Sequence, residues 1–297
     1  MTSTPVHAAG TFAIGGDTVV HRLGYGGMRI LGPWAWGEPE DRDECVATVR
    51  RAVELGVTLI DTADAYGPFI SEDIIAEALR GLGSTADDVV VTTKGGQTRS
   101  GWDKWEPVGR PEYLRQCLHM SLRRLGKESF ELYQLHRVDE QVPLEDQIGA
   151  LAEMRDAGLI RHIGLSEVDL PTIEKAQSIV PIATVQNLYN LGNRQHEDVL
   201  EYCEANGIGF IPWFPMAMGR LAGEASPLTR IAAETGSTPA QLALAWLLAR
   251  SPVVLPIPGT GKVAHVEENC AAALVELTPA QIDELTAAVP DVHTPSR

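Results

Sequence analysis

The sequence predicts an α/β protein, a closed (β/α)8 TIM barrel with an N-terminal β-hairpin and an extra C-terminal helix. Strand-like and helix-like segments alternate along almost the whole chain, and eight such pairs occur with no break in composition. The strand-like segments are apolar on both faces, as parallel strands covered by helices require. The 297 residues fit a single barrel domain, 1–297.

In chain order, the Gly-turned pair TFAIGGDTVVHRL reads as a hairpin plugging the bottom of the barrel. Strand-like LGYGG precedes helix-like DRDECVATVRRAVELG, LID precedes SEDIIAEALRG, and DVVVTTK precedes PEYLRQCLHMSLRRLG. ELYQLH pairs with LEDQIGALAEMRDAG, IRHIGLS with LPTIEKAQSI, and IATVQN with HEDVLEYCEANG. GFIPWF leads to TPAQLALAWLLARS and VVLPIPG to VAHVEENCAAAL, and TPAQIDELTAAV is the added helix. Helical segments show apolar residues at three- and four-residue intervals, as in Ile74, Ile75, Ala78 and Leu79. Gly56, Gly81, Gly126, Gly158 and Gly207 punctuate helix ends. An open doubly wound sheet is the alternative, but GYGGMR lacks the G-x-G-x-x-G spacing of a dinucleotide fingerprint.

A composition of 44% hydrophobic and 22% charged residues supplies a sizeable core. The net charge of −16 argues against binding nucleic acid or an anionic membrane surface. Any anionic ligand must be held by local cations. Cys45, Cys117, Cys203 and Cys270 are too sparse for a disulfide framework and fit a reducing compartment. No signal peptide is visible in MTSTPVHAAG, and Arg250 and Pro252 split the greasiest stretch, LALAWLLARSPVVLPIPG. A cytoplasmic protein is expected. No metal site is expected, since Cys117 and His119 lie two apart on a helix and face different ways.

In such a barrel chemistry gathers where strands end and helices have not begun. Asp61 ends the second strand with Tyr66 in the following loop, Lys94 ends the third and His136 the fourth. Ser166 ends the fifth, the sixth carries Gln186 and Asn187, and the seventh carries Trp213. Taken singly, Asp61 reads equally as a helix cap, Lys94 as a solvated loop lysine and His136 as a structural histidine. Four titratable groups on three adjacent strand ends, all after apolar runs, point to a site. A lysine aimed into the mouth loses its charge on burial unless a carboxylate pairs with it, and Asp61 is placed to do so.

The segments IDTADAYG, VVVTTKGG, LYQLHRVD, HIGLSEVD, VQNLYN and LPIPGTGKVAHVEEN resemble, in order, the signature segments of the aldo-keto reductases, across roughly residues 11–290. The resemblance implies hydride transfer from a reduced nicotinamide to a small-molecule carbonyl, with Asp61, Tyr66, Lys94 and His136 as the catalytic tetrad. Tyr66 would donate the proton. A free phenol has pKa ~10, and Lys94, held protonated by Asp61, would lower it. His136 would bond the carbonyl oxygen and orient the substrate. Two other classes are a Schiff-base lyase using Lys94 and a non-catalytic barrel that senses nicotinamide.

By the same resemblance Ser166 and Gln186 would hold the carboxamide and Trp213 would stack on the ring, where tyrosine is usual. Gly27, Met28 and Arg29 lie near the expected cofactor path. Family members commonly have asparagine where this chain has Glu167; a carboxylate close to the ring would favour the oxidised, positively charged cofactor, and a side chain turned to solvent is the alternative. At Pro258, Gly259, Thr260, Lys262, His265, Glu268 and Asn269 the chain would grip the adenosine end. Thr260, Lys262 and His265 would meet a 2′-phosphate, and Glu268 and Asn269 the adenine. NADPH is preferred over NADH, although relatives often carry lysine at the Gly259 position and arginine at that of His265.

Trp34 and Trp36 follow the first strand, and Trp102 and Trp105 the third, so the mouth reads as an apolar, flat-sided substrate pocket. Packing of these loops on one another is the competing reading. Within the family, GYGGMRILGPWAWG, DAYGPFISEDIIAEAL, IPWFPM and IPGTGKVAHVEEN look most like a bacterial subgroup that includes pyridoxal reductases. That likeness implies an aromatic, pyridoxal-like aldehyde; a metabolite ketone or keto sugar fits the same face.

Overall fold

A computed structural model describes residues 4–216, 227–289 and 291. Strands β1 (Thr11–Ile14) and β2 (Thr18–His21) pair antiparallel across Gly15 and Gly16, whose φ values of 61° and 88° suit a tight hairpin turn. Next come β3 (Tyr25–Gly26), α1 (Arg42–Glu54), β4 (Leu59–Asp61), α2 (Ile70–Arg80) and β5 (Val90–Gly95). A second hairpin, β6 (Gln97–Gly101) and β7 (Lys104–Pro107), precedes α3 (Pro111–Leu125). Then follow β8 (Phe130–Leu135), α4 (Leu144–Asp156), β9 (Ile160–Ser166), α5 (Leu170–Gln177), β10 (Ile182–Gln186), α6 (Glu197–Asn206) and β11 (Gly209–Phe210). The remaining elements are α7 (Pro227–Thr235), α8 (Pro239–Arg250), α9 (Val263–Ala271) and α10 (Pro279–Ala288).

One sheet runs β11-β10-β9-β8-β5-β4-β3, each neighbour parallel to the next. Residues 253–258 close it. Phe210 N donates to Val253 O and Leu255 N to Phe210 O, both at 2.8 Å, while Gly24 N donates to Pro256 O at 2.9 Å and Gly26 N to Pro258 O at 3.3 Å. This eighth stave is not a regular strand, because Pro256 and Pro258 have no N–H to return to β3 and leave only the carbonyl half of the ladder. The expected (β/α)8 barrel is therefore closed, with one stave held by half its usual bonds.

Side-chain alternation sorts the interior into layers. Leu59, Val90, Leu132, Leu255 and Ile257 form an apolar floor with Ile14 and Val20 of the leading hairpin, which plugs that end as expected. Two residues further along their strands come Asp61, Thr92 and Gln134, then Lys94 and His136, all buried. Gly164 sits in register with Gln134 and leaves the space its side chain needs. The helices cover the outside, packing on two apolar clusters that bury residues such as Ile75, Val91, Leu151 and Trp246.

Helix ends follow local chemistry. Asp41 and Asp169 cap α1 and α5, and Thr238 and Thr278 form capping boxes with Gln241 and Gln281. Gly126 and Gly207 end α3 and α6 in the left-handed conformation, whereas Gly81 stays right-handed after α2. Two elements depart from the sequence reading. The helix α7 intervenes between the seventh stave and α8, packing on α8 and α10. The loop after the third barrel strand is a hairpin, too short and polar to show a strand period. Among the described residues no helix is long and apolar enough to cross a membrane.

A β-carbon on Gly164 would lie 2.3 Å from Thr184 Oγ1 and 2.8 Å from Gln134 Cγ. Gly164→Ala should therefore cost about 1–3 kcal/mol in urea denaturation through overpacking. Unchanged stability would show that Thr184 and Gln134 both have room to move.

Candidate active site

The strand ends place a buried ion pair at the mouth. Lys94 Nζ lies 2.6 Å from Asp61 Oδ2, with side-chain exposures of 1% and 3%. Asp61 Oδ1 accepts from Gln134 Nε2 at 3.0 Å and Gln186 Nε2 at 2.9 Å, and the ammonium also donates to Thr62 O at 3.0 Å. Burial pushes the Lys94 amine down, but Asp61 and Tyr66 more than offset it and the net shift is upward. Lys94 is therefore an ammonium at neutrality.

Tyr66 follows β4 in a loop pinned by Phe69 N to Asp64 O and Asp64 N to Lys94 O. Its ring lies 5.2 Å from Lys94 Nζ and meets His136 edge-on at 5.6 Å. The structure thus brings together all four residues of the expected tetrad. It corrects one expectation. Burial pushes the Tyr66 phenol up more than Lys94 and Arg137 pull it down, with Asp61 adding to the rise, so the net shift is upward. His136 is held well below the usual imidazole range by burial, then by Lys94, Arg137 and Arg99, and it is neutral; its Nδ1 is buried without a partner.

Arg137 and Arg99 escaped the sequence reading, although LHRVD and QTRSG displayed them. Arg137 Nη1 donates to His136 O at 2.8 Å and Ser166 Oγ at 3.0 Å. Arg99 donates from Nη1 to Ala35 O and Ala65 O and from Nη2 to Trp34 O and Trp102 O, so backbone carbonyls of three loops hold it. Its guanidinium lies 3.5 Å from the Trp105 ring centre and 5.2 Å from that of Trp36. Trp105 in turn meets Tyr66 at 6.4 Å, while Trp34 and Trp102 pack on each other at 5.5 Å and stay largely exposed. Trp36 and Trp105 brace the arginine, and Trp34 and Trp102 pair at the rim.

The remaining residues are less uniform. Glu167 is not turned to solvent: its Oε1 accepts from Trp213 Nε1 at 2.6 Å and Leu188 N at 2.8 Å. Gln186 directs its amide at Asp61 and Gln134, beneath the mouth. Gly27 is buried, its carbonyl accepting from Ser71 Oγ, while Met28 is exposed. Pro258 and Gly259 lie against Gly26, where a β-carbon on Gly259 would meet Gly26 O at 2.8 Å. Thr260 Oγ1 accepts from Lys262 N and faces His265 Nδ1 at 3.4 Å. The Lys262 ammonium pairs with Glu44 at 2.5 Å, and Glu268 accepts from Thr238 Oγ1, the cap of α8. Asn269 is buried on the inner face of α9.

A closed parallel barrel thus holds a tyrosine, an ammonium–carboxylate pair and a neutral histidine together at its open end, a set of groups able to exchange a proton with a bound polar group. Residues 22–290 match the family described as the aldo/keto reductase family. The chain is 48% identical over 282 residues to an uncharacterized oxidoreductase of Schizosaccharomyces pombe, covering 93% of this chain and 90% of the relative. It is 40% identical over 277 residues to the pyridoxine 4-dehydrogenase of Escherichia coli, covering 91% and 95%. A Klebsiella pneumoniae aldo-keto reductase solved with NADPH superposes with a TM-score of 0.79 at 29% identity, covering 97% of each chain. The chain belongs to the aldo/keto reductase family, and it is an oxidoreductase.

Asp61→Asn should be severe, because its single oxygen can face either the glutamine amides or Lys94 but not both, its NH2 opposes a donor in either orientation, and the Lys94 charge is left uncompensated. A loss of about 3–5 kcal/mol in chemical denaturation is expected. A loss under about 1 kcal/mol would mean that solvent reaches the pair.

Proposed function

We propose that this enzyme is an NADPH-dependent reductase of a small aldehyde or ketone, with Tyr66 as the proton donor. The observation that carries the reading is the Tyr66 ring lying 5.2 Å from a lysine ammonium that is itself sealed against Asp61. The upward shift of the phenol suits this role. Tyr66 keeps its proton through neutrality, and Lys94 is charged and ready to stabilise the phenolate left after transfer. His136, neutral and buried, is suited to donate one N–H to the carbonyl oxygen and orient it. A Schiff-base role for Lys94 is disfavoured, since that chemistry needs a neutral amine.

The residues fit a nicotinamide dinucleotide. Helix α9 starts at Val263 without a side-chain cap, leaving its first N–H groups open to a phosphate. Thr260, Lys262 and His265 stand beside that helix start, where a 2′-phosphate would draw Lys262 from Glu44. Ser166 and Arg137 would meet the carboxamide side and Trp213 the ring. When bound, the reduced nicotinamide supplies the hydride. The S. pombe and E. coli relatives are both oxidoreductases, and the pyridoxine 4-dehydrogenase favours a pyridoxal-like aromatic aldehyde as substrate. The tryptophan-lined mouth supports that choice, with Trp105 walling Tyr66. The whole chain serves as one barrel domain, and four free buried cysteines accord with a reducing, cytoplasmic setting.

Loss of NADPH absorbance over a panel of aromatic and aliphatic carbonyls tests the reading, with NADH as the comparison. Tyr66→Phe should lower kcat on the order of 10²–10⁴-fold and leave NADPH affinity unchanged. Full activity in that variant would remove Tyr66 from the chemistry. Because the phenol is shifted upward, carbonyl reduction should be flat between about pH 6 and pH 9, and alcohol oxidation, which needs the phenolate, should rise with pH. A reduction rate that falls through neutrality would contradict the upward shift.

A further inference from the structure

Glu167 occupies a backbone conformation that does not suit it. Its φ is 54°, in the left-handed region, which asparagine tolerates and glutamate adopts at a cost of on the order of 1–2 kcal/mol. That strain is met by two strong hydrogen bonds to one carboxylate oxygen, from the Trp213 indole at 2.6 Å and from Leu188 N at 2.8 Å. The three residues stand just beyond three successive barrel strands, β9, β10 and β11. The Trp213 backbone is already fixed, since its N–H donates to Asn187 O at 3.1 Å and Phe214 O accepts from Asn190 Nδ2 at 3.1 Å. What backbone bonds leave free is rotation of the indole about its own side-chain torsions. The indole N–H is its one polar handle, and Glu167 holds it.

We propose that Glu167 is a positioning residue for the cofactor: its carboxylate locks the Trp213 indole in the plane against which the nicotinamide packs. The proposal rests on the reading of Trp213 as the wall of the ring site. Glu167 touches neither reacting atom; it acts through Trp213, and it lowers the entropy lost when the ring is ordered by ligand.

The test is an NADPH titration, followed by the cofactor's own fluorescence, on the full-length enzyme and its variants. Glu167→Ala and Trp213→Phe, which keeps the aromatic face but lacks the N–H, should each weaken NADPH binding about tenfold. The double variant should be no weaker than about twofold beyond either single one, because both remove the same bond. Glu167→Gln, whose amide oxygen still accepts from both N–H groups, should recover affinity to within about threefold of the parent. Additive losses in the double variant, or Glu167→Ala binding within about twofold of the parent, overturn the proposal. Trp213→Ala binding NADPH as tightly as the parent would instead remove Trp213 as the ring wall, and the proposal with it, while leaving the Tyr66 chemistry standing.

Discussion

The site hangs on one charge pair sealed inside the barrel, Lys94 against Asp61 at 2.6 Å. Burying two charges is costly, and their attraction offsets that only when the geometry is close and the other polar atoms are satisfied. Both conditions hold: two glutamine amides occupy the second carboxylate oxygen, and a backbone carbonyl takes a second ammonium hydrogen. Removing any of these partners leaves a charge exposed to an apolar interior. Burial is the larger influence on Tyr66 and His136, and the pair acts on top of it: Lys94 pulls both groups down, while Asp61 pushes the phenol up.

The barrel makes the pair possible by separating its two ends. The hairpin fills the floor with Ile14 and Val20 beneath Leu59, Val90 and Leu132. The polar layer can then rise two residues along the same strands without water entering from below. The mouth pays for its shape in backbone strain. Among the described residues, the five non-glycine positions with positive φ are Trp34, Ala35, Phe69, Glu167 and Phe214, and each lies in a loop that follows a barrel stave. Such positions persist only where their surroundings over-determine them. Arg99, bonded to four carbonyls and faced by two tryptophans, does this for Trp34 and Ala35, two hydrogen bonds to its carboxylate hold Glu167, and Asn190 Nδ2 holds Phe214 O.

Much of this was legible in the order of residues. Asp61, Lys94 and His136 each follow an apolar run, and alternation with period two sends each into the mouth. The added C-terminal helix was readable from its Thr-Pro start and Gln281. The eighth stave was legible as an apolar run, but its prolines leave it half-bonded, and closure depends on β3 and β11 lying on either side. The helix α7 is short and abuts another helix, so no strand intervened to reveal it. The sequence shows that an ammonium stands near Tyr66 but not that the phenol is fully buried, and it is the burial that turns the shift upward.

By itself the sequence determined which side chains stand at the ends of the staves, since strand alternation and helix punctuation are properties of neighbouring residues. Tertiary structure alone decided what those side chains touch. Glu167 finds Trp213 across 46 positions, Lys262 finds Glu44 across 218 and Gln186 finds Asp61 across 125. Contacts over such separations arise from barrel closure, which brings every strand end to one ring and sets how far water is excluded from each group.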